Sequence, residues 1–394
     1  MISVREAKDI LGKVCEPLPA VIVPLKKAMG LVLAEDVFAV VDVPAFNQSS
    51  MDGYAFLYED LKEGETLTIE GQVQAGSSLQ SPIQLKQAVR IFTGAAVPTD
   101  LDTVVMQEKV LVTDNQLEIK DNLLKKGNNV RIQGSEIRLG DLAIKKATKL
   151  TPAAIGFLAG IGVNEVLVYP NPRVKLVITG NELVQPGEPL GYGQVYESNS
   201  FALRAVLQQM GITEVAISFA KDNPAELKAV IEEALVDTDI LLITGGVSVG
   251  DYDFVADSLL DCGVEKLFHK IKQKPGKPLF AGRKGSQLVF GLPGNPSSVL
   301  TCFYEYVIPA IAMMAQNKTG ILEKRVLPLT HSFTKTNKLT QFLKAYYSND
   351  SVTMLGAQDS FRLSSFATAN CLVCLGEDEI EYKEGDRVEV HVFN

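Results

Sequence analysis

The chain has 394 residues, 46% of them hydrophobic, which is room for about two to four domains with real cores. Its formal net charge is −9 and its isoelectric point about 5.1. That excludes the broad basic face needed by nucleic-acid or acidic-membrane binders, so an anionic ligand must be held by local cations and backbone amides.

In chain order, Ser3-x-x-Glu6 forms a capping box that opens a helix with one apolar stripe: Val4, Ala7, Ile10, Leu11 and Val14. Pro17, Pro19 and Pro24 end it. Arg5, Glu6, Lys8 and Asp9 are wrong for a signal peptide. Residues 25–43 read as a helical turn followed by short extended segments. The stretch 44–55 is polar and turn-rich, with Asp52 beside a glycine. Residues 55–145 alternate short β-like runs with turns, at 66–73, 88–92 and 104–108, with a hairpin at 110–119 around Asp114-Asn115. Two spots stand out there: 92–98, containing Thr93, and 134–141, containing Glu136.

Thr151 caps a helix with Pro152 at its first position. Gly160-Ile-Gly162 trails that helix and lacks a third glycine, so it is no dinucleotide fingerprint. Strands are expected at 165–168, 174–178, 213–219, 240–243, 264–271 and 288–290. Helices are expected at 198–210, from Asp222-Asn-Pro224 to 236, and at 253–262. A long one starts at Pro296, which Pro309 should kink or end. This alternation predicts a parallel sheet covered on both faces. No apolar run approaches the roughly 20 residues of a membrane span. Residues 321–394 return to short strands at 325–329, 342–348, 351–355, 370–375 and 387–392.

The stretch 239–254 organises the rest. A buried strand runs into Gly245, Gly246 and Gly250, with Val247 and Ser248 between them, and then into Asp251 and Asp253 where a helix begins. A strand, a glycine turn and a helix start make an anion-binding device. Thr179-Gly-Asn181-Glu182 and Gly291-Leu-Pro293-Gly-Asn295-Pro296-Ser297-Ser298 follow strands in the same way. Loops after parallel strands gather at one sheet edge, so the three should share a site. Glu182, Asp222 and Asp253 offer oxygen ligands suited to Mg²⁺. Helix capping is the rival reading for Asp222, Asp253 and Asn295. Lys274-Pro-Gly-Lys277-Pro is a candidate phosphate clamp or a solvated turn.

Gly246-Val-Ser248-Val-Gly250 also fits the nucleophile elbow of serine hydrolases, for which His269, His331 and His391 are the available bases. Cys371 and Cys374 form a C-x-x-C within a strand. Side chains three apart there face opposite ways, so the pair reads as core cysteines and not as a shared metal site. No His/Cys zinc spacing exists. Five cysteines without a disulfide framework fit a reducing, cytoplasmic setting.

Together these motifs resemble one family, the MoeA-type molybdopterin molybdenumtransferases, also seen as the E domain of gephyrin. The matching stretches are Ser50-Met-Asp52-Gly-Tyr-Ala, Phe92-Thr93-Gly-Ala-Ala-Val-Pro98 and Val104-Val-Met-Gln107-Glu108. Further matches are Thr179-Gly-Asn-Glu182-Leu, Thr244-Gly-Gly-Val-Ser-Val-Gly250, Lys274-Pro-Gly-Lys277-Pro, Gly291-Leu-Pro-Gly-Asn-Pro296 and the tail 358–370.

The resemblance implies a multidomain α/β plus β fold. It has a central parallel-sheet, molybdopterin-binding-like domain (1–26 and 170–320), an extended linker domain (27–45 and 146–169), a β-rich insertion (46–145) and a C-terminal β-barrel (321–394). It implies a homodimer in which Asp52, Thr93 and Glu136 of one subunit close the glycine-lined cleft of the other. The implied reaction moves molybdate onto adenylylated molybdopterin with release of AMP and with Mg²⁺ as metal. Other proteins of molybdenum-cofactor synthesis would be partners. Glu182, Asp222 and Asp253 would place metal or ligand, Lys274 and Lys277 would neutralise anionic oxygens, and Gly245–Gly250 and Pro293–Ser297 would shape the cleft. Asn181 and Glu136 stand where the family usually has Asp. A gephyrin-like scaffold and a tungstate-specific enzyme are the alternatives within the family. The scaffold form carries an extra N-terminal domain and linker not seen here, and has no need of these carboxylates and lysines.

Overall fold

A computed structural model describes residues 1–62, 65–77, 82–247, 254–318 and 321–393. The chain divides into two compact units, one of residues 1–21, 30–32 and 168–394 and one of residues 22–29 and 33–167. The expected four-part division is finer than this.

In the first unit, six strands form one sheet in the order Ala216–Ala220, Val174–Thr179, Ile240–Thr244, Gln287–Leu292, Phe280–Lys284, Glu265–His269. The first four run parallel. The fifth, Phe280–Lys284, runs antiparallel to both its neighbours, so the all-parallel expectation is corrected. The reason lies in the connections. Lys284 and Gln287 are joined by a two-residue hairpin, which links only antiparallel strands, and no helix separates His269 from Phe280.

Strand period sorts the core. Leu176, Ile178, Leu242 and Phe290 face one side, and meet Leu203, Leu207, Val299 and Phe303, with Ala7 and Leu11 from the N-terminal helix. Val177, Leu241, Ile243 and Val289 face the other, and meet Leu227, Ile231, Val255 and Leu259. Both faces are therefore covered, as two-sided apolar strands require. The N-terminal helix, Val4–Val14, keeps its expected capping box.

The long helix beginning at Pro296 contains a π-turn, Phe303–Val307, between Pro296–Cys302 and Ile308–Met314. Pro309 lacks a backbone N–H, and the wider turn before it absorbs the missing donor, so the run continues. At 19 residues, Pro296–Met314 is apolar and long enough to cross a membrane by composition, contrary to the sequence expectation. It is 89% buried within the protein, as the core helix of a globular fold would be.

The C-terminal strands appear where expected and order as Glu323–Pro328, Arg387–Val392, Cys371–Leu375, Thr340–Ser348, Ser351–Met354. Leu329 bridges Val352, and Thr330 N–H donates to the Val352 carbonyl at 3.1 Å. This joins the two outer strands and curls the sheet into a barrel.

The second unit holds a six-stranded sheet in the order Thr103–Met106, Gly53–Phe56, Gln87–Ile91, Leu67–Val73, Gln116–Ile119, Val110–Thr113. Its hairpin turns at Asp114 and Asn115, both at positive φ (47° and 65°), as a tight primed turn requires. Thr151 caps the Pro152–Gly160 helix through Ala154 N–H.

Candidate functional site

The parallel strands Val174–Thr179, Ile240–Thr244 and Gln287–Leu292 end side by side, so their loops enclose one pocket of about 620 Å³. That is the size of a cofactor site. Gly245 and Gly246 form its floor at φ 94° and 58°. A Cβ on Gly245 would stand 2.5 Å from the Thr179 carbonyl oxygen, so only glycine fits the strand junction.

Thr179 and Asp222 join two of the walls. The Thr179 hydroxyl donates to Asp222 Oδ1 at 2.6 Å. Asn181 N–H donates to Asp222 Oδ2, and Asp222 N–H donates back to Asn181 Oδ1, both at 3.3 Å. The Asn181 departure is thus accommodated, because an amide oxygen accepts this bond without bringing a second charge against Asp222. The capping reading of Asp222 is corrected: Asn223 caps the Pro224–Leu235 helix, accepting from Ala225 and Glu226 N–H. Asn295 likewise makes no side-chain cap, and its amide reaches Ser360 Oγ at 3.0 Å.

Of the residues expected from sequence, Glu182, Asp222, Gly245, Gly246, Val247, Pro293, Asn295 and Pro296 line this pocket. Ser297 follows them, fully buried, with a hydroxyl that has no protein partner. Ser248, Gly250 and Asp253 lie outside the described residues. Lys274 lines a separate cavity of about 220 Å³ with Thr334, Gln341, Gln358 and Asp359. Lys277 is exposed beside Pro278, which does line the large pocket.

Sequence reasoning missed Glu197 and Asn199. Glu197 is buried in the pocket wall and accepts from both the N–H (2.8 Å) and the hydroxyl (2.5 Å) of Ser200. Asn199 donates to the Gly294 carbonyl at 2.9 Å, leaving Oδ1 buried and unpartnered. Their signal was the polar run Glu197-Ser-Asn-Ser200, which looks like an ordinary helix start.

The charge balance of the lining is informative. Glu182, Glu197 and Asp222 contribute carboxylates, and no lysine or arginine lines the pocket among the described residues. Three like charges around one space favour a cation. Asn199 Oδ1 in the lining, and Thr244 Oγ1 and Ser297 Oγ one residue beyond lining residues in sequence, are buried without a protein hydrogen-bond partner.

The second unit holds its own polar cluster. Thr93 donates to Asp52 Oδ1 twice, from N–H and hydroxyl, each at 2.7 Å. Those two bonds, with Arg90 nearby, hold the Asp52 carboxyl below its usual range. Arg90 packs on Tyr54 and Phe92 and donates to the Gly53 carbonyl and Gln107 Oε1. Gln107 in turn donates to Glu108 at 2.9 Å. Glu136 is exposed, with its N–H donating to the Val43 carbonyl at 2.9 Å.

The hydrolase reading gains little. His269 Nε2 lies 3.1 Å from the Val247 carbonyl, which can only accept, so that nitrogen carries the proton and is no free base.

These features define an α/β protein with a glycine-floored, carboxylate-lined pocket at the carboxyl edge of its sheet, the edge where such folds bind ligands. Residues 2–162 match the MoeA N-terminal region (domain I and II), 175–313 a probable molybdopterin binding domain, and 326–393 the MoeA C-terminal region (domain IV). The chain belongs to the MoeA family. The molybdopterin molybdenumtransferase of Haemophilus influenzae is 33% identical over 401 residues, covering 100% of this chain and 99% of that one. Molybdopterin molybdenumtransferase 2 of Mycobacterium tuberculosis is 33% identical over 405 residues, covering 99% of each. Among solved structures, the molybdopterin biosynthesis moea protein from Pyrococcus horikosii superposes with a TM-score of 0.83 at 30% identity, covering 100% of this chain and 99% of that one.

Proposed function

We propose that this protein is a molybdenum insertase that places molybdate on the dithiolene sulfurs of adenylylated molybdopterin and releases AMP. The observation that carries the reading is the Thr179–Asp222 pocket, lined by three carboxylates, in a chain whose full length matches proteins named for this transfer.

A phosphate-bearing ligand meets like charge there unless a divalent cation comes with it. The oxygen donors fit Mg²⁺: Glu182 and Asp222 would hold it, with Asp253 as a further candidate. When bound, Mg²⁺ would neutralise the phosphate oxygens and polarise the phosphoanhydride. Thr179 and Asn181 hold the Asp222 carboxylate in one orientation, so no reorganisation is needed when the ligand arrives. Gly245 and Gly246 let the backbone approach the ligand closely. Lys274, in its own cavity with Thr334, Gln341, Gln358 and the acid Asp359 as neighbours, would supply the positive charge for an oxyanion such as molybdate, with Lys277 contributing from the same loop.

The active form would be a homodimer, with Asp52, Thr93 and Glu136 of one subunit completing the pocket of the other. The pre-ionised, doubly bonded Asp52 supports a binding role for that cluster. A cytoplasmic location accords with five free cysteines. The test is incubation of purified protein with adenylylated molybdopterin, molybdate and Mg²⁺. Stoichiometric AMP and active cofactor are expected; intact ligand binding without turnover would favour a scaffold.

A further inference from the structure

Far along the chain from the pocket, a second set of chemistry-bearing groups comes together. Cys374 and Glu389 are directly opposed on the antiparallel strands Cys371–Leu375 and Arg387–Val392, and His391 follows Glu389 by two residues on the same face. One ligand atom from each lies within 4.8 Å of the others. His391 is buried. Its Nδ1 stands 2.6 Å from Glu305 Oε1 and its Nε2 stands 2.6 Å from Glu389 Oε1. Glu305 is also buried and is backed by Lys8 Nζ at 2.5 Å.

We propose that Cys374, Glu389 and His391 form a metal site for a borderline divalent cation, of which Zn²⁺ is the type. Three observations carry this. Sulfur, imidazole nitrogen and carboxylate oxygen are the ligand set that Zn²⁺ prefers at three positions of a tetrahedron. The outer nitrogen of His391 donates to a buried carboxylate, which is the arrangement that fixes the ring of a metal-bound histidine. A cavity of about 230 Å³, lined by His391, Lys324, Tyr304 and Glu305, opens beside the His391 ring, and Lys324, whose Nζ donates to Glu389 Oε1 at 2.9 Å, would give up that oxygen to the metal.

Metal binding would replace the Nε2···Glu389 contact and displace the proton of the Cys374 thiol, so binding should strengthen as pH rises. The ligand atoms must close to bond lengths of ~2.0–2.3 Å, a rotamer-scale movement of Glu389 and Cys374. Cys371, three residues away, packs in the barrel core on the opposite face and takes no part.

The experiment uses full-length protein, stripped with a chelator and titrated with Co²⁺ alone at pH 8, then with Zn²⁺ as competitor. We expect about one equivalent of Co²⁺ to give a thiolate-to-cobalt charge-transfer band in the near ultraviolet, bleached by Zn²⁺. Cys374→Ser should abolish the band and weaken Zn²⁺ binding at least tenfold. Cys15→Ser should leave both unchanged. Circular dichroism of each variant separates loss of the site from loss of the fold, and Glu389→Gln provides a second ligand change on a solvent-facing residue. The thiolate band distinguishes this site from any oxygen-ligand binding at Asp222. A charge-transfer band that survives Cys374→Ser, or no such band in the wild-type protein, overturns the assignment.

Discussion

Thr179 donates its hydroxyl hydrogen to Asp222 Oδ1 at 2.6 Å, tying together the ends of two adjacent parallel strands. Thr179 is nearly fully buried and Asp222 faces the pocket. The bond therefore couples the scaffold to one of the three carboxylates that the ligand would meet. Thr179→Val removes it while conserving shape. Stability should fall by only about 1 kcal/mol, whereas turnover should drop by about tenfold or more as Asp222 loses its fixed aim. Thr179→Ser should restore most of it. Denaturant titration and single-turnover AMP release check the two halves.

Gly245→Ala tests the floor. The added methyl would meet the Thr179 carbonyl at 2.5 Å, in a backbone conformation with φ near 94°. A cost of about 1–3 kcal/mol is expected from the conformation alone, together with loss of ligand binding. A variant of unchanged melting temperature and affinity would show that the strand junction is looser than the distances imply.

Asp52 and Thr93 make a pH prediction. Thr93 holds the Asp52 carboxyl below its usual range. A depressed carboxyl stays ionised above its ordinary value and loses its bonds to Thr93 only as pH falls through the lower, folded-state value. Activity should therefore keep its acid limb low in the wild type, and Thr93→Val should move that limb upward. Asp52→Ala should remove turnover. Mixing Asp52→Ala with Asp222→Ala subunits should recover about a quarter of the activity if the sites are shared between subunits, on the order expected for random exchange; no recovery would place both residues in a single protomer's site.

Glu305 predicts acid sensitivity of the fold. Burial alone would push its carboxyl upward, yet His391 and Lys8 more than offset that and hold it below its usual value. Its contribution is thus fully present above the ordinary carboxylate range and is lost as pH falls through the folded value. Glu305→Gln leaves the Lys8 ammonium short of its buried partner and His391 Nδ1 without a carboxylate acceptor, and a loss of about 3–5 kcal/mol is expected at neutral pH. The deficit should shrink in acid, where the wild type loses the same interaction; urea titrations at pH 7 and pH 4 read it directly.

Much of the fold and the pocket is legible in the sequence. Gly245 and Gly246 directly follow a buried apolar run, where a chain leaving a strand needs positive φ or a close backbone approach, so the pocket floor is readable. The Asp114-Asn115 hairpin and the Ser3/Glu6 box carry their own local signals. Asp222 is ambiguous, because Asp-Asn-Pro offers two capping residues and only the fold shows that Asn223 takes the cap. Glu197 is hidden, since a polar run before a helix reads the same whether it faces solvent or a pocket. Lys274 falls outside the main pocket because spacing does not reveal which side of a proline-stiffened loop a side chain takes. The partial antiparallel character of the sheet comes from the short Gly285-Ser286 turn, a signal that the stronger alternation of strands and helices masks. Cys374 and His391 meet only through strand register, which no spacing encodes.

The central claim is that a carboxylate-lined pocket accepts an anionic nucleotide only together with a divalent cation. The most direct measurement is the equilibrium affinity of the protein for adenylylated molybdopterin with Mg²⁺ present and with Mg²⁺ removed by chelation. Affinity should fall at least tenfold without the ion, and Asp222→Asn, which removes one of the repelling charges, should narrow that difference. Equal affinity in both conditions, with the same result for Asp222→Asn, would contradict the account.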